Sequence, residues 1–201
     1  MKDEQRMKRM VKRKGNLEMA VCWDEINKKF EIRCIRPEES DAAVAVEHAC
    51  FPPNEACSRE HMMERIAAAP ELFLVAIDRK TGGTAAILNG LSTEEEKFRD
   101  EFFTDITLYD PKGRNVMLLG LAVRSEYRLQ GLASALMQEY AKRMRAFGKE
   151  KLILTCLESR VPMYRKMGFS DDGMAASTWG GECWHEMSYS IFSISDPLFL
   201  L

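Results

Sequence analysis

The sequence lacks the features that mark membrane proteins and nucleic-acid-binding proteins. No apolar run approaches the roughly 20 residues that span a bilayer, and 30% of the 201 residues are charged. The 29 Lys and Arg are balanced by 31 Asp and Glu, so the formal net charge is only -2 and exerts no general attraction on polyanions. The charged start of the chain is followed by no apolar stretch, unlike a signal peptide. We therefore expect a cytoplasmic protein whose partners include neither nucleic acid nor a membrane.

Metal-binding and redox patterns are also missing. The six cysteines form no C-x-x-C pair, and only three histidines are present. Zinc sites need Cys and His ligands at short, regular spacings, which this sequence does not have. His185 follows Cys183 by two residues, a spacing that on a strand turns both side chains to one face without pairing them. We expect no metal site, and free thiols in a reducing compartment.

Basic residues are concentrated at the N-terminus, where seven Lys and Arg occur within residues 1–14. Such a run is typical of a solvated extension, and less often of an arm that binds a polyanion. Nothing else in the sequence supports nucleic-acid binding, so the first interpretation is favoured. We predict an N-terminal extension over residues 1–29 and a single domain over residues 30–201.

Hydrophobic periodicity predicts alternating strands and helices with short connections. The predicted strands cover residues 30–36, 72–77, 84–91, 116–123, 151–157 and 184–192, and the predicted helices cover 41–49, 59–69, 94–103, 132–147 and 160–166. Gly120 interrupts the apolar strand 116–123, which indicates a β-bulge. The pattern predicts one α+β domain with a mixed, mostly antiparallel sheet.

The segment 116–148 carries the clearest chemical signal, because it reads as strand, glycine-containing turn and helix. A helix N-terminus directs unpaired N–H groups and a positive dipole end at one point, which suits phosphate oxygens. Gly131 and Ala133 keep side chains small there, and Arg128 adds positive charge. A small-residue turn before a helix is by itself explained equally well as a plain tight turn. The spacing R-x-x-G-x-A directly after an apolar strand is much more specific.

That spacing resembles the coenzyme A pyrophosphate loop of the GNAT superfamily of acyltransferases, Q/R-x-x-G-x-G/A. The segment 158–169, with Y-x-x-x-G-F at its end, resembles the fourth helix and following turn of the same superfamily. The stretches 51–56, 69–73, 176–181 and 184–187 are similar to the arylalkylamine (serotonin-type) N-acetyltransferase branch and its bacterial relatives. Together these segments cover about residues 31–192.

The resemblance implies a GNAT-like sheet with a splayed, bulged strand, flanked by about four helices, and acetyl-CoA as cosubstrate. It implies that the cofactor is held by backbone groups of the bulged strand and by the following loop, at Leu121, Ala122, Val123, Arg128, Leu129, Gln130, Gly131, Leu132, Ala133 and Ser134. The acceptor is expected to be a small primary amine of arylalkylamine type, acetylated directly in a ternary complex. Its walls are expected at Phe51, Pro52, Trp179 and Trp184. Both a monomer and a homodimer are compatible with the resemblance.

Tyr164 corresponds to the tyrosine that protonates the departing thiolate in the family. A phenol with a pKa near 10 can donate a proton throughout the neutral range. Without the resemblance, a core aromatic on an amphipathic helix would be the simpler interpretation.

The sequence departs from the vertebrate arylalkylamine enzymes on the bulged strand. Those enzymes carry two histidines that are thought to relay the amine proton, and Met117 and Leu119 stand at the matching positions. The proton must then pass to a water chain, to a carboxylate such as Glu186 or to another histidine (His48 or His185), or the amine must bind already neutral.

Two other functions remain open from the sequence. A protein or peptide N-acetyltransferase would share the cofactor loop, but the proline-rich loop at 51–54 better suits a cover over a small amine. A non-catalytic acyl-CoA-binding domain would keep the fold but would have no use for an acid at Tyr164.

Overall fold

Seven strands form one twisted sheet at the centre of the computed structural model, which describes residues 22–192. The strands are β1 (Phe30–Cys34), β2 (Phe73–Asp78), β3 (Thr84–Thr93), β4 (Asn115–Val123), β5 (Lys151–Leu157), β6 (Ser170–Met174) and β7 (Trp184–Ser190). The α-helices are α1 (Trp23–Lys29), α2 (Ser40–Cys50), α3 (Arg59–Ala68), α4 (Leu132–Ala146) and α5 (Val161–Lys166). The spatial order of the strands is β1-β2-β3-β4-β5-β7-β6.

The predicted splay in the sheet is confirmed at the junction of β4 and β5. All the other strand pairs are antiparallel, whereas β4 and β5 are parallel and pair only over Asn115–Met117 with Lys151–Ile153. Residues 118–123 continue β4 without a β5 partner, which opens a cleft between the two strands. The predicted bulge is also present, since Asn89 of β3 pairs with Gly120 while Gly90 pairs with Leu118.

The helices cover both faces of the sheet. Helices α2 and α3 pack on one face, where Val46, Met62 and Ile87 share a buried cluster. Helix α4 belongs to the larger cluster, and its Tyr140 hydroxyl donates to the Leu72 carbonyl at 3.1 Å. Such burial of apolar faces is the main stabilising contribution in a fold of this kind.

Helix α1 lies within the predicted N-terminal extension and packs against the domain. Ile26 is 4% exposed in the main core, and Trp23 Nε1 donates to Gln138 of α4 at 3.1 Å. The basic run at 1–14 lies outside the described residues. None of the helices within residues 22–192 has the length and apolar character needed to cross a membrane.

The predicted helix over 94–103 is wrong. Only a 3-10 turn at Asp100–Phe103 forms there. Groups earlier in the segment hydrogen-bond to distant residues and not to each other. Phe98 N–H donates to the Glu186 carboxylate at 2.9 Å, and Glu94 accepts from Arg114 N–H at 3.0 Å. Strand β6 has no counterpart in the sequence prediction, since its residues (SDDGM) are polar and form an edge of the sheet.

Candidate active site

The loop between β4 and α4 presents a helix N-terminus beside the splayed strand. Leu129 (φ 59°) and Gly131 (φ 82°) both take the left-handed conformation, which turns the chain into α4. Ala135 N–H donates to the Gly131 carbonyl at 3.0 Å, so the N–H groups of residues 132–134 precede the first bond of the helix. A Cβ built on Gly131 meets no atom within 4 Å, and Leu129 is 100% exposed. The loop therefore offers unpaired N–H groups to open space, as a phosphate site requires.

Two side-chain bonds brace this loop. Arg128 Nε donates to the Val123 carbonyl at 2.9 Å, and Gln130 Nε2 donates to the Glu126 carbonyl at 3.1 Å. Arg128 thus ties the loop to the end of β4 as well as placing a positive charge near the helix N-terminus. It also occupies one carbonyl of the strand segment that we expected to contact the pantetheine arm.

The motif Y-x-x-x-G-F folds into the end of α5. Gly168 takes a left-handed conformation (φ 94°) just past the helix, and Phe169 N–H returns to the Tyr164 carbonyl at 3.1 Å. This turn sets the Phe169 ring edge-on against Tyr164, with 5.7 Å between the centroids. The glycine and the phenylalanine therefore hold the tyrosine ring in place.

Tyr164 presents a phenol hydroxyl that is free of hydrogen bonds within the described part of the chain. Its ring is half-buried, and no group within residues 22–192 hydrogen-bonds its hydroxyl. Burial, with a smaller contribution from Cys156, raises the pKa of Tyr164 above its ordinary value, against a weaker opposing effect of Arg160. The phenol is consequently protonated and unengaged across the neutral range.

Strand pairing creates one polar group that the sequence analysis missed. Cys156 of β5 lies opposite His185 of β7, and His185 Nδ1 is 3.1 Å from Asp171 Oδ1 on β6. Burial raises the pKa of Cys156 to about 11, and Asp171 adds to the effect. Cys156 is therefore a neutral thiol and no nucleophile. No short-range signal reveals this group, because its members meet only through the sheet.

The loop after α2 and the loop before β7 meet through Trp179. Its Nε1 donates to the Glu55 carbonyl at 3.0 Å, and Asn54 Nδ2 donates to the Gly180 carbonyl at 2.7 Å. The Trp179 ring packs on Phe103, with 4.7 Å between the centroids. The structure thus brings together the two segments that we expected to hold the acceptor.

The other three predicted wall residues differ in exposure. Trp184 is buried and its Nε1 donates to the Trp179 carbonyl at 2.9 Å. Phe51 is half-buried and Pro52 is exposed. Trp184 therefore holds the loop that carries Trp179 from the buried side. Phe51, Pro52 and the Trp179 ring lie nearer the surface.

Comparison with known proteins identifies this arrangement. The sequence profile of the Acetyltransferase (GNAT) family matches residues 42–169. The chain belongs to the GNAT family.

Individual relatives agree with this family. The chain is 27% identical over 165 residues to serotonin N-acetyltransferase from Mesocricetus auratus, covering 80% of this chain and 77% of the relative. Its fold is similar to the loading GNATL domain of CurA from Lyngbya majuscula, with a TM-score of 0.70, 16% identity and coverage of 81% and 98% of the two chains. It is also similar to the ribosomal-protein-S18-alanine N-acetyltransferase from Escherichia coli, with a TM-score of 0.60, 17% identity and coverage of 85% and 99%. The protein is thus a GNAT acyltransferase that uses acetyl-CoA.

In this GNAT protein the positions of the family's two strand histidines carry no base, and the other candidate bases already have hydrogen-bond partners. Met117 and Leu119 are both buried in the core. Glu186 accepts from Lys97 Nζ at 2.7 Å with one oxygen and from Phe98 N–H at 2.9 Å with the other. His48 Nε2 lies 3.0 Å from the Cys57 carbonyl. His185 Nδ1 is likewise 3.1 Å from Asp171 Oδ1, so each of these carboxylate and imidazole groups already has a partner.

A second group of side chains missed by the sequence analysis lies under the β4 bulge. This bulge cluster consists of Glu47 of α2, Arg65 of α3 and Asn89 of β3, all buried. Arg65 donates to Asn89 Oδ1 at 3.4 Å and to the Phe103 carbonyl at 2.6 Å. Burial raises the pKa of Glu47 above its ordinary value. On the sequence these residues read only as helix and strand positions, so no local signal could have grouped them.

Proposed function

We propose that this GNAT acyltransferase transfers the acetyl group of acetyl-CoA to a small primary amine of arylalkylamine type, within a ternary complex. The main support for a small amine as acceptor is the position of Trp179, which links the loops expected to surround the acceptor. Its bond to the Glu55 carbonyl and its packing on Phe103 join three loops. A protein acceptor usually needs an open groove there, whereas an aromatic enclosure suits a small amine with an apolar body.

The cofactor is proposed to lie along the splay. Backbone groups of residues 121–123 would contact the pantetheine arm, and the N–H groups of residues 129–134 would bind the pyrophosphate. The proposal is supported by the open space over Gly131 and by the unpaired N–H groups at the start of α4. The thioester would then lie between β4 and α5, on the side of the Tyr164 hydroxyl.

Tyr164 is proposed to protonate the thiolate of coenzyme A as the C–S bond breaks. Its hydroxyl supports that role, because it carries its proton at neutral pH and no group within residues 22–192 hydrogen-bonds it. Cys156, the nearest thiol, stays neutral and takes no part in acyl transfer.

The acceptor class is tested by turnover. Purified protein and acetyl-CoA are offered tryptamine, phenethylamine, a polyamine and a histone-like peptide, and acetylated product is measured by mass spectrometry. We expect the two arylalkylamines to have the highest kcat/KM. Acetylation of the peptide alone would show a protein N-acetyltransferase. Acetyl-CoA binding without turnover of any acceptor would show a binding domain.

A further inference from the structure

The bulge cluster contains two buried polar atoms that lack partners and face the same point. Glu47 is 3% exposed, and its Oε1 accepts from Cys57 N–H at 3.2 Å. Glu47 Oε2 and Asn89 Nδ2 have no hydrogen-bond partner within residues 22–192. They lie 3.4 Å and 3.2 Å from the position of a Cβ built on Gly120. Leaving a buried polar atom unsatisfied is unfavourable, so a free acceptor and a free donor near one point indicate a place for a polar ligand group.

The position of this point in the fold matches the place where an amine would meet the thioester. Gly120 lies three residues beyond Met117, the last β4 residue that pairs with β5, and so belongs to the splayed segment. Helix α2, which carries Glu47, ends at Cys50 and leads into the loop that Trp179 pins. The Glu47 carboxylate thus contacts Cys57 N–H, which follows that loop, with one oxygen and approaches Gly120 of the splayed segment with the other.

We propose that Glu47 accepts the proton of the acceptor amine, with Asn89 holding the amine or one intervening water at the bulge. The inference rests on the proposed function, since it assumes that acetyl-CoA occupies the splay. It assigns to Glu47 of α2 the acceptance of the amine proton, a role that the family's histidines would fill at the positions of Met117 and Leu119.

The proposed step balances as follows. The Glu47 carboxylate takes one proton from the ammonium, which frees the nitrogen lone pair. The nitrogen forms a C–N bond with the thioester carbonyl carbon, and the C–S bond breaks with its electron pair going to sulfur. The thiolate takes a proton from Tyr164, which recovers one from the second N–H that the nitrogen loses. Glu47 then releases its proton to solvent, so an ammonium and acetyl-CoA yield an acetamide, coenzyme A thiol and one proton.

The charges around Glu47 suit this task. Desolvation raises the pKa of its carboxyl, while the Cys57 N–H bond, the Arg65 guanidinium and the His48 imidazole counteract part of that rise. The Cys57 thiol itself is neutral, because burial raises its pKa to about 11. A carboxylate with a raised pKa is a stronger base than an exposed one, as general base catalysis near neutral pH requires.

The test compares Glu47→Gln with the wild type on two amines. Glutamine keeps the shape of the side chain and an oxygen for the Cys57 N–H, but it takes up no proton. With whichever acceptor the wild type acetylates fastest, kcat/KM should fall by about 10²–10⁴-fold, and acetyl-CoA affinity by calorimetry should be unchanged. With a fluorinated analogue of that acceptor, whose amine is uncharged near neutral pH, the substitution should lower kcat/KM far less, because that amine needs no proton removed before it attacks. In the variant the inflection that Glu47 gives to the acidic limb should also be lost, leaving a rate that rises with pH toward the pKa of the amine.

Two variants separate proton transfer from structure. Glu47→Asp retains a carboxylate and should recover part of the lost rate. This comparison stays informative even where Glu47→Gln folds poorly. Glu186→Gln removes a buried carboxylate that is already paired with Lys97 and Phe98 N–H, and it should lower stability while leaving the acidic limb in place. Equal losses on both amines, or an unchanged pH profile in Glu47→Gln, would overturn the assignment.

The outcomes also distinguish this inference from the proposed function. If the wild type acetylates a peptide but no small amine, the proposed acceptor class is wrong and the Glu47 comparison is made on the peptide's α-amine. If it acetylates neither, both proposals are wrong. If it acetylates a small amine and Glu47→Gln does so equally well, only the role of Glu47 is wrong.

Discussion

Gly131→Glu should remove acetyl-CoA binding while leaving the protein folded. Gly131 has a φ of 82° and no atom within 4 Å of a Cβ, so the new side chain causes no clash in the free protein. Its cost is the left-handed conformation, roughly 1–2 kcal/mol for a residue with a side chain. That is a fraction of the 5–15 kcal/mol that typically stabilises a domain. A carboxylate at a helix N-terminus even interacts favourably with the helix dipole.

The loss of affinity follows from charge. Two like charges about 4 Å apart near a protein surface repel by about 4 kcal/mol at an effective dielectric constant of about 20. Each 1.4 kcal/mol is a tenfold change in Kd, so a pyrophosphate over Gly131 should bind roughly a thousandfold more weakly. The introduced carboxylate also competes for the same N–H groups at residues 132–134.

Calorimetry with acetyl-CoA measures this loss, and two variants isolate its cause. Gly131→Ala carries the same backbone strain without the charge. Gly148→Glu places the same side chain at the other end of α4, where φ is 73° and no atom lies within 4 Å. Both should bind acetyl-CoA within a few-fold of the wild type. If Gly131→Glu binds as tightly as Gly131→Ala, the pyrophosphate does not lie over this loop.

Three further predictions concern the other groups of the site. Tyr164→Phe keeps the ring and removes a hydroxyl without a partner, so the unfolding free energy should change by less than about 0.5 kcal/mol. The same variant should lower kcat by about 10²–10⁴-fold. A near-normal kcat under conditions where chemistry limits the rate would show that Tyr164 is not the general acid. Because burial raises the pKa of Glu47, the wild type should lose stability as the pH rises from the ordinary glutamate value of about 4.3 through the folded-state pKa. Glu47→Gln should lack that loss in denaturant titrations at pH 5 and pH 8, and an equal change in stability between the two pH values in variant and wild type would contradict the raised pKa. Trp179→Phe removes the bond to the Glu55 carbonyl and should cost about 0.5–1.5 kcal/mol; it should raise the KM for the amine and leave the Kd for acetyl-CoA unchanged, whereas the opposite pattern would place the acceptor elsewhere.

The elements that follow local rules were predictable from the residues. Ser58 caps α3, and its side chain accepts from His61 N–H at 3.2 Å, a bond between residues only three apart in the sequence. The motif Y-x-x-x-G-F closes on itself within six residues, and the turn at Gly131 needs only its neighbours. The family and the fold were therefore within reach of the sequence, and both are confirmed. The roles of the individual site residues remain predictions.

Where local and distant partners compete, the sequence misled. The charged stretch 94–103 has helical composition, but Phe98 N–H finds the Glu186 carboxylate, which is 88 residues away. Strand β6 forms because β7 offers an edge, with little apolar alternation of its own. Such pairings replace local hydrogen bonds with distant ones of similar strength, so composition alone cannot rank them.

The sequence by itself determined the family and the absence of histidines from the bulged strand, and it predicted the cofactor loop, since each is a short pattern read along the chain. Only the tertiary structure decided which groups could replace those histidines. Glu186 is paired with Lys97, whereas Glu47 and Asn89 come from a helix and a strand to face Gly120 with free polar atoms. The hydrogen bonding and desolvation of a carboxylate depend on residues that meet only when the sheet assembles, and these decide whether it is a structural ion or a base.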